Sequence, residues 1–166
     1  MPALLELDLT GARAAWFFQW FHFLPLVEDR PGAGALIRFL PEGGAFREKV
    51  ALDIAIDERE QITALSLGLN RIFVESPEDA AYARDIAQSF LRAAVPPPAD
   101  DARGLAEEIS DVSLLGKQPS EGYEAYLGER PEAWLTTPEW SVALRNLMIG
   151  PTAWLVISVA RTTNAA

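Results

Sequence analysis

His22 is the only imidazole in the 166-residue sequence, so histidine acid–base chemistry has a single place to occur. It lies between Phe21 and Phe23, in a stretch from Trp16 to Phe23 with six aromatic side chains in eight residues. A histidine that moves protons needs a second group to orient it, and the neighbours here are apolar. His22 therefore reads as a residue of an interface or a pocket wall, not as a catalytic base. Serine offers no substitute nucleophile, because the sequence lacks a Gly-x-Ser-x-Gly elbow; Ser66-Leu67-Gly68 and Ser113 are ordinary strand and loop serines. The absence of cysteine removes thiolates, disulfides and cysteine zinc sites. One histidine also removes any multi-histidine metal centre.

Carboxylates are the remaining chemistry, and Asp and Glu together number 24. Asp53 and Asp57 share a strand parity, while Asp100-Asp101 and Glu107-Glu108 fall in polar sequence. Glycoside hydrolysis needs two acids held at fixed separation in a cleft, and no spacing here marks such a pair. Asp57, Glu58 and Glu60 can attract magnesium or calcium, but they read better as a charged hairpin tip. There is no calcium loop, phosphate loop or dinucleotide fingerprint, and Gly32-Ala33-Gly34 reads as a flexible turn. The expectation is a protein without catalytic residues, metal ligands or cofactor. A carboxylate-based hydrolase with no linear motif is one alternative.

The formal charge is −10. That argues against nucleic acid and anionic membrane surfaces as partners, since both demand a concentrated positive field. The start, Met1 to Asp8, carries no basic segment and so does not read as a signal peptide. No apolar run approaches the ~20 residues of a membrane helix. A cytoplasmic protein is expected. With 49% hydrophobic and 23% charged residues, the chain has the composition of one globular domain over residues 1–166.

The elements that must position these side chains follow from periodicity. Leu5, Leu7 and Leu9 alternate with acids, as in a half-buried strand. The aromatic run also reads as a strand, since aromatics favour one; Trp16, Phe18, Trp20 and His22 then share one face. A loop is expected over 25–34 and a hairpin at Pro41-Glu42-Gly43-Gly44, between Leu36–Leu40 and a strand from Ala45 to Ile56. In that strand Val50, Leu52, Ile54 and Ile56 point one way and Lys49, Ala51, Asp53 and Ala55 the other, leaving one face wet. Leu65, Leu67 and Leu69 repeat the pattern between Ile62 and Val74. Their parity puts Arg71 on the packed side, which predicts a bulge near Asn70.

Ser76-Pro77-Glu78-Asp79 predicts a long helix over 77–94 with Ser76 as its cap, followed by a stiff connector at Pro96-Pro97-Pro98. Shorter helices are expected over 102–112 and 120–127. A terminal hairpin turning at Met148-Ile149-Gly150-Pro151 has a second strand, around Trp154 to Val159, with both faces covered. The fold class is thus α+β: a mostly antiparallel sheet of about six or seven strands with its helices on one face.

So few helices cannot cover both sides of so wide a sheet. Large apolar patches on monomers mark interaction sites, and twofold dimers are the commonest assembly. The functional expectation is protein–protein association, as a homodimer or with another protein partner, burying Trp16, Phe18 and Trp20. A domain that binds a small apolar ligand in a pocket is the other alternative.

Overall fold

A computed structural model describes residues 2–26, 36–43, 46–95, 121–136 and 138–162. Seven antiparallel strands form one sheet: β1 (Phe23–Pro25), β2 (Leu36–Pro41), β3 (Val50–Ile56), β4 (Ile62–Asn70), β5 (Glu132–Thr136), β6 (Trp140–Ile149) and β7 (Thr152–Arg161). Their order is β1-β2-β3-β4-β7-β6-β5. The sheet is therefore two meanders joined along the β4–β7 seam. The α+β class and the strand number agree with the sequence reading.

Period-two alternation sets the register. Phe39, Leu52, Leu67, Ile157, Leu144 and Ala133 lie opposite one another across six adjacent strands, and all six are buried. A one-residue slip anywhere would turn a strand's whole apolar set to the other side. Burying each branched side chain contributes about 1.5–3 kcal/mol, so the row holds the pairing in place.

The described helices pack on this apolar face. They are α1 (Leu9–Ala14), α2 (Trp16–Phe21), α3 (Arg71–Glu75), α4 (Ala80–Ala94) and α5 (Glu121–Leu127), preceded by a 3-10 turn at Leu4–Glu6. In α4 the buried residues Ala83, Ile86, Ala87, Phe90, Leu91 and Ala94 make one helical stripe.

Several local expectations are corrected. Leu4–Glu6 and Leu9–Ala14 are helical, with only Asp8 between them in a β-bridge, to Gln61; Leu4 and Leu5 are both buried, which alternation forbids, and the Asp8 carboxylate caps α1 by accepting from the Gly11 N–H at 2.7 Å. The aromatic run is a helix up to Phe21, not a strand. A strand would send Phe17 and Phe21 to one face and Phe18 to the other; a helix delivers all three to the core. Phe17 there meets Phe23 and Phe90, at ring separations of 5.5 and 5.9 Å, and Phe18 meets Phe39 edge-on at 5.2 Å.

Two further corrections concern Arg71 and α4. No bulge forms at Asn70, and the register shift of β3–β4 lies between Ala55 and Ile56. The strand instead ends at Asn70, whose side chain accepts from the Ile72 N–H at 2.9 Å and starts α3. The long helix begins at Ala80, three residues later than 77, and Ser76 closes α3 rather than capping α4. Asp79, the residue before α4, makes no side-chain cap because its carboxylate is held by Lys49 at 3.1 Å.

The terminal hairpin forms, with Gly150 at φ 62° in its turn. Strand β7 is covered on one face only, its Trp154, Val156 and Ser158 remaining half-buried. The helix at 121–127 is present. The expected helix over 102–112, the triple proline and most of the 25–34 loop lie outside the described residues.

Candidate functional site

The side of the sheet opposite the helices carries the alternate residues of every strand. Its centre is small and mostly apolar: Ala51, Ala55, Ala64, Ser66, Gly68, Ser158 and Ala160, all half-buried. The Ser66 and Ser158 hydroxyls meet at 2.9 Å across the β4–β7 seam. The Trp154 ring lies over Gly68, where a Cβ would meet it at 3.6 Å, an ordinary van der Waals contact. Larger groups flank this floor. Leu24 and Leu36 are exposed on the β1–β2 side, and Trp134, Leu147 and Ile149 on the β5–β6 side. Among the described residues no helix lies on this face.

Its charges cancel locally. Arg38 forms a two-pronged pair with Asp53, at 2.8 and 2.9 Å. That carboxylate, by hydrogen bond and by charge, raises the Arg38 pKa. Arg145 lies 3.7 Å from the Glu132 carboxylate and 4.1 Å from the centre of the Trp134 ring. Among the described residues, two bases and two acids thus leave the face neutral, on a chain of net charge −10.

The four residues singled out from the sequence do not form one surface. Phe18 is 2% exposed, locked against Phe39, and is part of the chain's own core. Trp16 and Trp20, one helical turn apart, project from the outer side of α2 at 38% and 72% exposure. His22 ends α2 in the left-handed region, at φ 52°, with an exposed side chain. The signal that could have separated them is the i, i+1, i+4 spacing of Phe17, Phe18 and Phe21.

A second feature lies in the helical layer. A cavity of about 460 Å³ is lined by Arg71, Val74 and Glu75 of α3, Ala80, Ala81 and Arg84 of α4, and Tyr126 and Leu127 of α5. Arg71, only 7% exposed, ties these elements together. It donates to the Tyr126 carbonyl at 2.7 Å, to the Asn146 Oδ1 at 3.3 Å and, through Nε and Nη2, to the Glu75 carboxylate at 3.3 and 3.0 Å. Gly128 adopts φ 82° against this guanidinium, where a Cβ would stand 3.0 Å from Nη2.

Among the described residues, the buried Tyr126 hydroxyl has no hydrogen-bond partner. Burial pushes its pKa up to about 12, against the opposing pull of the Arg84 and Arg71 charges. A donor left unpaired in this way costs about 1–3 kcal/mol.

The carboxylates are dispersed. Asp53 belongs to the Arg38 pair, and Asp57 accepts from the Arg59 and Gln61 N–H groups at 2.8 and 3.0 Å to shape the β3–β4 turn. Among the described residues no three His, Asp or Glu side chains gather as a metal site, and no helix is long and apolar enough to cross a membrane. Comparison with protein-family models, with curated proteins and with solved structures finds no match to this chain.

Proposed function

We propose that the chain acts by protein–protein association, pairing with a second copy of itself through the open face of the sheet. The observation that carries this reading is the neutral, small-centred face on an otherwise acidic molecule. Each strand residue covers about 3.4 by 4.8 Å of sheet, so seven strands present a face on the order of 800 Å². That matches the ~800 Å² per partner of a standard interface. Two copies each carrying −10 repel one another, and a face whose charges are already paired adds nothing to that repulsion. A small floor also lets a second backbone approach closely, while Leu36, Trp134 and Leu147 supply apolar contacts at the flanks. The helix residues Trp16 and Trp20 are the rival surface.

Light scattering after gel filtration tests the proposal. Wild type is expected to run as a dimer at micromolar concentration. Ser158→Glu, which puts a charge at the centre of the face, is expected to give a monomer with an unchanged circular-dichroism spectrum. Trp20→Asp is expected to leave the dimer intact. A monomeric wild type across the micromolar range, or a dimer broken by Trp20→Asp and not by Ser158→Glu, overturns the proposal.

A further inference from the structure

We infer that ionic strength regulates the dimer of the open face: dilute salt drives the copies apart, and moderate salt lets them associate. The inference rests on the reading of that face given above and adds the sign of its response to salt. An interface held by ion pairs between partners weakens as salt is added, because its attractions are screened. Here the described charges of the face are engaged within each copy. Arg38 grips Asp53 with two N–H groups, at 2.8 and 2.9 Å, and Arg145 lies 3.7 Å from the Glu132 carboxylate. In both pairs the partners stand directly opposite on neighbouring strands of the same sheet. Among the described residues the face therefore keeps no unbalanced charge with which to attract a second copy.

What salt does screen is repulsion. Each copy brings a net charge of −10, and self-repulsion of that size opposes association. Stacked sheets lie ~10 Å apart, and each copy has a helical layer behind its sheet, so the two centres of charge are on the order of 20 Å apart. The screening length is about 30 Å at 10 mM salt and about 8 Å at 150 mM. At the lower concentration the copies thus meet almost the whole of each other's field, and at the higher one only a fraction of it. The attraction from apolar contacts at Leu36, Trp134 and Leu147 acts at short range and carries no charge to be screened. Salt therefore shifts the balance in one direction only, toward the dimer.

Sedimentation equilibrium of the full chain in sodium chloride at about 10 mM and about 150 mM tests this. The dimer dissociation constant is expected to fall at least about tenfold on going to the higher salt. Salt can also favour apolar burial in general, and a double charge reversal separates the two causes. Glu78 precedes α4 and Asp85 lies within it, both exposed and both in the layer behind the sheet. Each reversal to lysine adds two charges, so Glu78→Lys with Asp85→Lys takes the net charge from −10 to about −6. Repulsion goes as the product of the two charges and drops to about a third. This variant is expected to dimerise more tightly than wild type at low salt and to respond to salt with about a third of the logarithmic slope. An unchanged circular-dichroism spectrum shows that it folds. A dissociation constant that is indifferent to salt or rises with it, or a variant whose salt response equals that of wild type, overturns the inference and leaves the dimer standing. A wild type that is monomeric at both salt concentrations removes the dimer itself, and the inference with it.

Discussion

Replacing Arg71 by methionine keeps most of the apolar stem and removes five N–H donors, so it isolates what the guanidinium contributes. The largest loss is the 2.7 Å bond to the buried Tyr126 carbonyl, a charge-assisted contact worth about 1.5–3 kcal/mol. The Glu75 side chain is 64% exposed, so that pair is screened and adds at most about 1 kcal/mol. The Asn146 contact at 3.3 Å is long and adds little, and Asn146 keeps its own bonds to the Ala125 and Arg130 carbonyls. Together these give a destabilisation of about 3 kcal/mol, which for a chain of this size lowers Tm by about 6–12 °C.

Thermal and urea unfolding followed by circular dichroism measure it. Gly128→Ala supplies the cross-check. At φ 82° alanine is strained, and its Cβ would also press on Arg71 Nη2, so part of its cost should vanish when Arg71 is already methionine. A change below about 0.5 kcal/mol for Arg71→Met, or strict additivity of the two substitutions, would refute the reasoning that the guanidinium joins α3 to α5.

Two further outcomes follow from the corrected caps and the buried tyrosine. Asn70→Ala should cost about 1 kcal/mol by removing the cap of α3, whereas Ser76→Ala should stay within about 0.5 kcal/mol; urea midpoints that reverse this order would show that the caps are misassigned. The Tyr126 pKa is raised by burial to about 12, above the ~10 of an unfolded tyrosine. The stability it contributes is therefore complete below pH 10 and is lost as the pH rises toward 12, on the order of 2 kcal/mol by linkage. Tyr126→Phe should be neutral or slightly stabilising at pH 7 and should flatten the fall between pH 10 and 12. Parallel curves for the two proteins in that window would sink this account.

The parts of the fold legible in the sequence were those where one face of an element is dry and the other wet. Val50 to Ile56 and Leu65 to Leu69 announce their strands, and Ala83 to Leu91 announce α4, because a single buried stripe writes its own period. The aromatic run was misread because phenylalanine and tryptophan prefer strands only where a pleated surface awaits them. Here Phe90 and Phe39 offer a pocket that three phenylalanines on a helix fill better. The expected bulge would have turned Arg71 away from the packed side; it is buried instead, because partners 55 and 75 residues away receive its guanidinium, and no local pattern records them. The same holds for the cavity, whose walls come from three helices. The open face was implied by the wet side of β3, but its neutrality depends on the Arg38–Asp53 and Arg145–Glu132 registers, which only strand pairing reveals.

The strand order has a consequence for how the chain reaches this state. The β1–β4 meander is built from neighbouring segments and can form early, but β4 then has an unpaired flank until β7 arrives. The hydroxyls that meet at that seam belong to residues 92 apart. Closing so long a loop is entropically costly before any contact repays it, and topologies dominated by such pairings fold slowly. In the interval Leu65, Leu67 and Leu69 stand beside a row of free N–H and C=O groups, the combination most prone to recruit a stray strand. The seam thus makes the sheet's centre, rather than its edges, the last place to become safe. Once it closes, the outer flanks of the sheet are the three-residue β1, which contains Pro25, and the five-residue β5, both too short to template further growth.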